Sequence, residues 1–144
     1  MIFSDEILNS IEDIIKNYKV YLVGGYLRNY FINNKISSDR DLVCINNAKN
    51  LAMDIADKLE GVFIELDSEN EIYRVVLKDK INYFDIAQAL DNDILKDAKR
   101  RDFTINSIFY DLNKKEIFDP LDGISDIKNK IIKTSDLQNM LDDT

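Results

Sequence analysis

The sequence predicts an α+β domain, a mixed or antiparallel sheet of five to seven strands flanked by helices. Three observations carry that expectation. Three β-rich runs follow one another between residues 62 and 87, separated by turns short enough for hairpins. Stretches with a 3.6-residue apolar period stand before and after them, an order that favours α+β over a doubly wound sheet. The 144 residues, 45% hydrophobic and 32% charged, are enough for one packed core under a charged surface.

The elements follow in order. Residues 5 to 17 place Ile7, Leu8, Ile11, Ile14 and Ile15 on one helical stripe, with Ser4 as its cap. Val20-Tyr21-Leu22-Val23 reads as a short buried strand, and after the Gly24-Gly25 turn Tyr26 to Ile32 reads as a short helix. Asp39-Arg40-Asp41-Leu42-Val43 is the next strand. Residues 47 to 60 repeat the helical stripe through Leu51, Ile55, Ala56 and Leu59, and Gly61 ends it as a C′ glycine would. The three β-rich runs are Val62 to Leu66, Ile72 to Leu77 and Ile81 to Ala87, with turns over 67–70 and 78–80. A helix is expected over 93–107, two short strands over Ile108–Leu112 and Glu116–Asp119, and a last short helix over 122–130.

Composition excludes several chemistries. There is no His, which removes Ser-His-Asp and Cys-His catalysis and every His-ligated zinc site. Any metal must be held by oxygens, which favours Mg²⁺ or Mn²⁺. The one Cys, Cys44, allows no internal disulfide, suits a reducing cytoplasm, and sits in an apolar run as a core thiol would. The N-terminus lacks the basic-then-apolar order of a secretory signal, and no apolar run reaches the roughly 20 residues of a membrane span. The net charge of −8 argues against a purely electrostatic grip on nucleic acid. The expectation is a single cytoplasmic domain over residues 1–144.

The chemistry is concentrated between Val20 and Asp41. A Gly pair between a strand and a helix lets a backbone approach a ligand closely, and a helix start offers N–H groups to an anion. Arg28 adds a cation beside it. Asp39 and Asp41, two apart on a strand, project to one face, an arrangement that is costly unless a cation lies between them. Phosphate cradle, cation and divalent-metal seat are parts for phosphoryl or nucleotidyl transfer. Asp85, in the third β-rich run, would be a third carboxylate if its strand neighbours that of Asp39 and Asp41.

Three ordered motifs resemble one family. Leu22-Val23-Gly24-Gly25-x-x-Arg28 is followed by Asp39-x-Asp41. Next comes Arg100-Arg101-Asp102-Phe103-Thr104-Ile105-Asn106, and then Phe118-Asp119-Pro120-x-x-Gly123-x-x-Asp126. Together they resemble the head domain of class II CCA-adding enzymes and bacterial poly(A) polymerases, within the polymerase-β-like nucleotidyltransferase superfamily. The resemblance implies that Asp39 and Asp41 hold two Mg²⁺ ions and that Asp85 is the third carboxylate, next to the attacking hydroxyl. It implies that Gly24, Gly25 and Arg28 receive the triphosphate. Arg100, Arg101, Asp102 and Asn106 would contact the ribose and phosphates of the incoming nucleotide. Asp102 and Asn106, at i and i+4, would share one helix face. The chain departs from the family at Asn29, where Asp is usual, at Asp122, where Gly is usual, and after Asp85, where Gln88-Ala89-Leu90-Asp91 holds no Arg.

The expected function is template-independent transfer of a nucleotide from ATP or CTP to an RNA 3′-hydroxyl, at the CCA end of tRNA, by two-metal catalysis. The family's neck, body and tail domains are not expected within these residues. A second subunit or self-association would then supply base and tRNA selection. The alternative is a nucleotidyltransferase-fold module that binds NTP or a partner with little polymerase activity, and a third reading is transfer to a non-RNA acceptor.

Overall fold

The computed structural model describes residues 5–33, 35–99 and 108–119. The chain opens with two short helices, α1 (Glu6–Ser10) and α2 (Glu12–Ile15), where the apolar stripe suggested one. Ile11 parts them with φ −107° and ψ 11°, outside the helical region, and stays fully buried. The cap is Asp5 rather than Ser4: its Oδ1 accepts the Ile7 and Leu8 amides at 3.0 and 3.2 Å.

Strand β1 (Val20–Val23) leads into α3 (Gly25–Asn33), then β2 (Asp39–Cys44) and α4 (Ala48–Leu59). Helix α4 ends differently from the expectation. The left-handed residue is Glu60, with φ 53°, not Gly61. Gly61 is needed for another reason, since a Cβ there would sit 2.7 Å from the Val76 carbonyl oxygen. Strands β3 (Val62–Asp67), β4 (Ile72–Val76) and β5 (Tyr83–Gln88) follow. Strand β5 begins two residues later than its sequence suggests. Asp79 Oδ1 accepts the Ile81 and Asn82 amides, each at 2.8 Å, so those residues close a turn instead of extending the ladder. Helix α5 (Ile94–Lys99) covers the start of the expected 93–107 helix, and β6 (Phe109–Asp111) and β7 (Glu116–Phe118) form the last hairpin. The helix expected over 122–130 lies outside the described residues. Among the described residues, no helix is long and apolar enough to cross a membrane.

The seven strands form one mixed sheet in the order β3-β4-β5-β2-β1-β6-β7. Strands β2 and β5 are parallel and every other pair is antiparallel. The parallel pair requires a crossover, which α4, β3 and β4 supply. Alternation sorts the side chains to two faces. Val20, Leu22, Leu42, Cys44, Tyr73, Val75, Phe84, Ile86 and Tyr110 face the main core, with Leu8, Ile11, Leu27, Leu51 and Ile55 from the helices. On the opposite face, Val23, Val43, Ala89 and Phe109 form a smaller cluster joined by Ile94 of α5. The rest of that face carries the polar residues on which the site is built.

Candidate active site

Asp39 and Asp41 stand on the polar face of β2, half-buried, while the intervening Arg40 points into the core. The register sets Asp41 opposite Val23 of β1 on one side and Asp85 of β5 on the other. Asp39 is opposite Tyr83. The strand bearing Asp85 therefore does neighbour that of Asp39 and Asp41.

Directly after Val23, Gly24 takes φ 73°, the left-handed conformation that L side chains resist. A Cβ at Gly24 would lie 3.1 Å from Asp41 Oδ2, so the carboxylate occupies the space that any other residue would fill. Helix α3 starts at Gly25. The Arg28 guanidinium folds back over that start, with Nη2 3.3 Å from the place of a Gly25 Cβ. Gly24, Gly25, Arg28 and Asp41 are thus brought to one corner, where the first amides of α3 lack intrahelical acceptors.

Arg40 holds this corner from behind. Its Nε donates to Asp5 Oδ2 at 2.9 Å, its Nη2 to Asp5 Oδ1 at 3.2 Å, and its Nη1 to Ser38 O at 3.1 Å and Asn82 Oδ1 at 3.0 Å. The Tyr26 hydroxyl donates to Asp5 Oδ2 at 2.6 Å. One buried network therefore joins the N-cap of α1, the start of α3, the middle of β2 and the turn before β5. Burial alone would raise the Asp5 carboxyl, but the hydrogen bonds from Arg40 and Tyr26 and the Arg40 charge hold it below the ordinary value. Burial, with the Asp5 bond, pushes the Tyr26 phenol up, so it stays a donor.

Asp85 meets a partner that the sequence analysis passed over. Arg74, its register neighbour on β4, donates from Nε to Oδ1 at 2.7 Å and from Nη2 to Oδ2 at 2.9 Å. The guanidinium carbon also lies 4.5 Å from the centroid of the Tyr83 ring. Hydrogen bonding to Asp85 raises the Arg74 pKa further, and burial with the nearby Asp39 and Asp85 charges raises the Tyr83 phenol. A signal was available, since Arg74 and Asp85 are single opposite charges in two consecutive apolar runs. Arg40 was overlooked because a residue between two site carboxylates reads as a spacer.

The three carboxylates expected to hold metal, Asp39, Asp41 and Asp85, stand on the adjacent strands β2 and β5. Among the described residues, no group of three or more Asp, Glu or Cys side chains is disposed to hold a metal ion. Both oxygens of Asp85 accept hydrogen bonds from Arg74. Asp39 and Asp41 still fit a hard divalent cation: both are oxygen donors on one face, and Gly24 leaves room at Asp41. Arg100, Arg101, Asp102 and Asn106 lie outside the described residues, as does the third motif beyond Asp119. Cys44 is buried, and burial pushes its thiol up to about 11, as befits a core residue.

The family described as "Poly A polymerase head domain" matches residues 20–133. The CC-adding tRNA nucleotidyltransferase of Synechocystis sp. is 32% identical over 123 residues, covering 85% of this chain and 29% of that protein. The CCA-adding enzyme of Buchnera aphidicola is 37% identical, over 80% of this chain and 29% of that protein. The chain thus spans about three-tenths of the length of these relatives. Among solved structures, the Thermotoga maritima CCA-adding enzyme complexed with tRNA superposes with a TM-score of 0.81 at 29% identity, covering 96% of this chain and 33% of that one. A CCA-adding enzyme in an apo form gives 0.83 at 28% identity, over 97% and 38% of the two chains. The match runs from β1 past β7 and takes in both the Gly-Gly turn and the Asp pair: the chain belongs to the poly(A) polymerase head-domain family and carries its nucleotidyltransferase fold.

Proposed function

We propose that the chain is a catalytic head that moves a nucleotide from ATP or CTP to the 3′-hydroxyl of an RNA, the 3′ CCA end of a tRNA. One observation carries the reading. Asp41 packs against a left-handed Gly24 at the start of α3, the helix that carries Arg28, and the strand register sets Asp85 beside Asp41. The relatives named as CC- and CCA-adding enzymes, and the neighbour solved with tRNA, support the choice of substrate.

Divalent Mg²⁺ would be held by Asp39 and Asp41, with Asp85 completing the set, and would lower the hydroxyl's pKa and neutralise the departing charge. The first amides of α3 and the Arg28 guanidinium bind and orient the triphosphate. The acceptor's 3′-oxygen forms its bond to the α-phosphorus as the bond to the bridging oxygen breaks. Pyrophosphate leaves toward Arg28, and the hydroxyl proton passes to a site carboxylate or to water. Arg100, Arg101, Asp102 and Asn106 are proposed to hold the ribose and phosphates of the incoming nucleotide. The remainder of tRNA recognition is assigned to a second subunit, to a second copy or to sequence beyond these residues.

The test is incorporation of labelled ATP and CTP into a tRNA transcript lacking its CCA end, with Mg²⁺. Asp39→Ala and Asp41→Ala are expected to abolish incorporation with the circular dichroism spectrum unchanged. Full activity in either folded variant would remove the metal seat from this reading. A second reading, an NTP- or partner-binding module with little transfer activity, is favoured by the engagement of both Asp85 oxygens with Arg74. It predicts NTP binding without extended RNA.

A further inference from the structure

Across the sheet, Arg74, Asp85 and Asp41 stand side by side on β4, β5 and β2, in the charge order plus, minus, minus. Two carboxylates on adjacent strands repel each other unless something positive offsets them. Arg74 does so in its own fold: the fork takes one bond to each Asp85 oxygen, at 2.7 and 2.9 Å. Planar guanidinium matches carboxylate in this two-point manner, and Tyr83 supports its face at 4.5 Å. The pair remains open to solvent, with the Arg74 side chain 35% exposed and that of Asp85 23%. A dissolved ion can therefore reach it, and the long Arg74 side chain has room to withdraw.

We propose that Arg74 is a positioning residue that competes with the divalent cation for Asp85, so that guanidinium and cation exchange on that carboxylate. The inference rests on the metal seat proposed above and adds an order of events. With Arg74 on Asp85, that carboxylate is not open to a cation at full strength. When a second positive charge arrives beside the pair, it repels the guanidinium, and Asp85 turns from its β4 neighbour to its β2 neighbour. The Asp85 charge is thereby offset while no cation is bound, and the complete donor set forms only when cation is present. Arg74, once released, stays on the site face as a cation next to the reacting groups.

The experiment is a Mn²⁺ titration of the 144-residue chain, followed by electron paramagnetic resonance of the free ion. Wild type, Arg74→Ala, Arg74→Lys, Asp85→Asn, Arg74→Ala with Asp85→Asn, and Asp39→Ala are compared, with circular dichroism as the fold control. Arg74→Ala is expected to bind Mn²⁺ about three- to tenfold more tightly than wild type, because a competing charge is gone. Arg74→Lys should fall between them, since lysine keeps the charge and loses the fork. In the Asp85→Asn background the same Arg74→Ala change should give a clearly smaller gain. In wild type, the Arg74 Nε–H resonance should lose its hydrogen-bonded shift as Mg²⁺ is added. Affinity in folded Arg74→Ala that is equal to or weaker than wild type overturns the exchange, while loss of binding in Asp39→Ala would still uphold the metal seat. If wild type binds no Mn²⁺ at millimolar concentration, the metal seat falls and the exchange falls with it.

Discussion

A methyl group at Gly24 would sit 3.1 Å from Asp41 Oδ2 on a backbone with φ 73°. Gly24→Ala is therefore expected to cost about 1–2 kcal/mol of stability through the left-handed backbone. It should also push the Asp41 carboxylate away, so nucleotide incorporation should fall further than the thermal melt explains. Paired melting and incorporation assays check this. Asp5 makes a different residue-scale prediction. Asp5→Asn leaves Arg40 buried with its charge uncompensated, a loss of about 3–5 kcal/mol. Since the folded carboxyl is lowered from its ordinary 3.8, its contribution is complete well above that pH. It is lost as pH falls below 3.8 through the lowered folded value. The melting difference between wild type and Asp5→Asn should thus be full at pH 7 and shrink below about pH 4. At this scale the sequence made the Asp pair, the Gly pair and Arg28 legible, because spacing alone places them. Arg40 was not legible, because it acquires its role from a partner 35 residues away; Arg74 and Asp85 showed as opposite charges in consecutive runs, but their pairing needed the β4–β5 register.

The junction of α4 and β3 shows how one element end is fixed by another. Gly61 lies against the Val76 carbonyl of β4, whose residue Val76 pairs with Val62. Gly61→Ala brings a Cβ to 2.7 Å from that backbone oxygen, and the edge of the sheet must shift. We expect a loss of about 1–3 kcal/mol, as for other overpacked sites, read from urea unfolding. Replacement of Glu60 by Gly, at the left-handed residue itself, is expected to be neutral or stabilising in the same assay. The apolar periods located α4 and the strands correctly. They misjudged ends: Ile11 breaks the first helix, and Asp79 delays β5 by capturing two amides. Both are hydrogen-bond or packing decisions made after the period has been satisfied.

For the molecule as a whole, charge limits how RNA can be held. With 19 Lys and Arg against 27 Asp and Glu, a net charge of −8, the cations of this chain alone are outnumbered by charges that repel phosphates. A slope of about −0.9 in log affinity against log salt accompanies each phosphate neutralised. Binding of tRNA to the isolated chain is accordingly expected to be weak, with a slope of about −1 to −3, measured by filter binding across a salt series. A steeper slope would mean a basic surface that the composition does not suggest. The same scale decides the sheet. Antiparallel hairpins among β3, β4 and β5 follow from short turns, but the insertion of β5 beside β2 does not. That parallel pairing spans more than forty residues, and it alone places Asp85 next to Asp41.

The residues alone were enough for the class of the domain, for the strands and helices within a few residues, and for the two carboxylates, glycine turn and arginine that are proposed to make the corner of a site. Local rules suffice for these: a period of 2 or 3.6, a two-residue spacing, a missing Cβ. Only the tertiary structure decided the strand order, the buried Asp5-Tyr26-Arg40 brace and the occupation of Asp85 by Arg74. The strand order and the brace depend on groups that meet from distant parts of the chain, and the Arg74 contact depends on the register of the β4–β5 hairpin, which the opposite charges alone do not set.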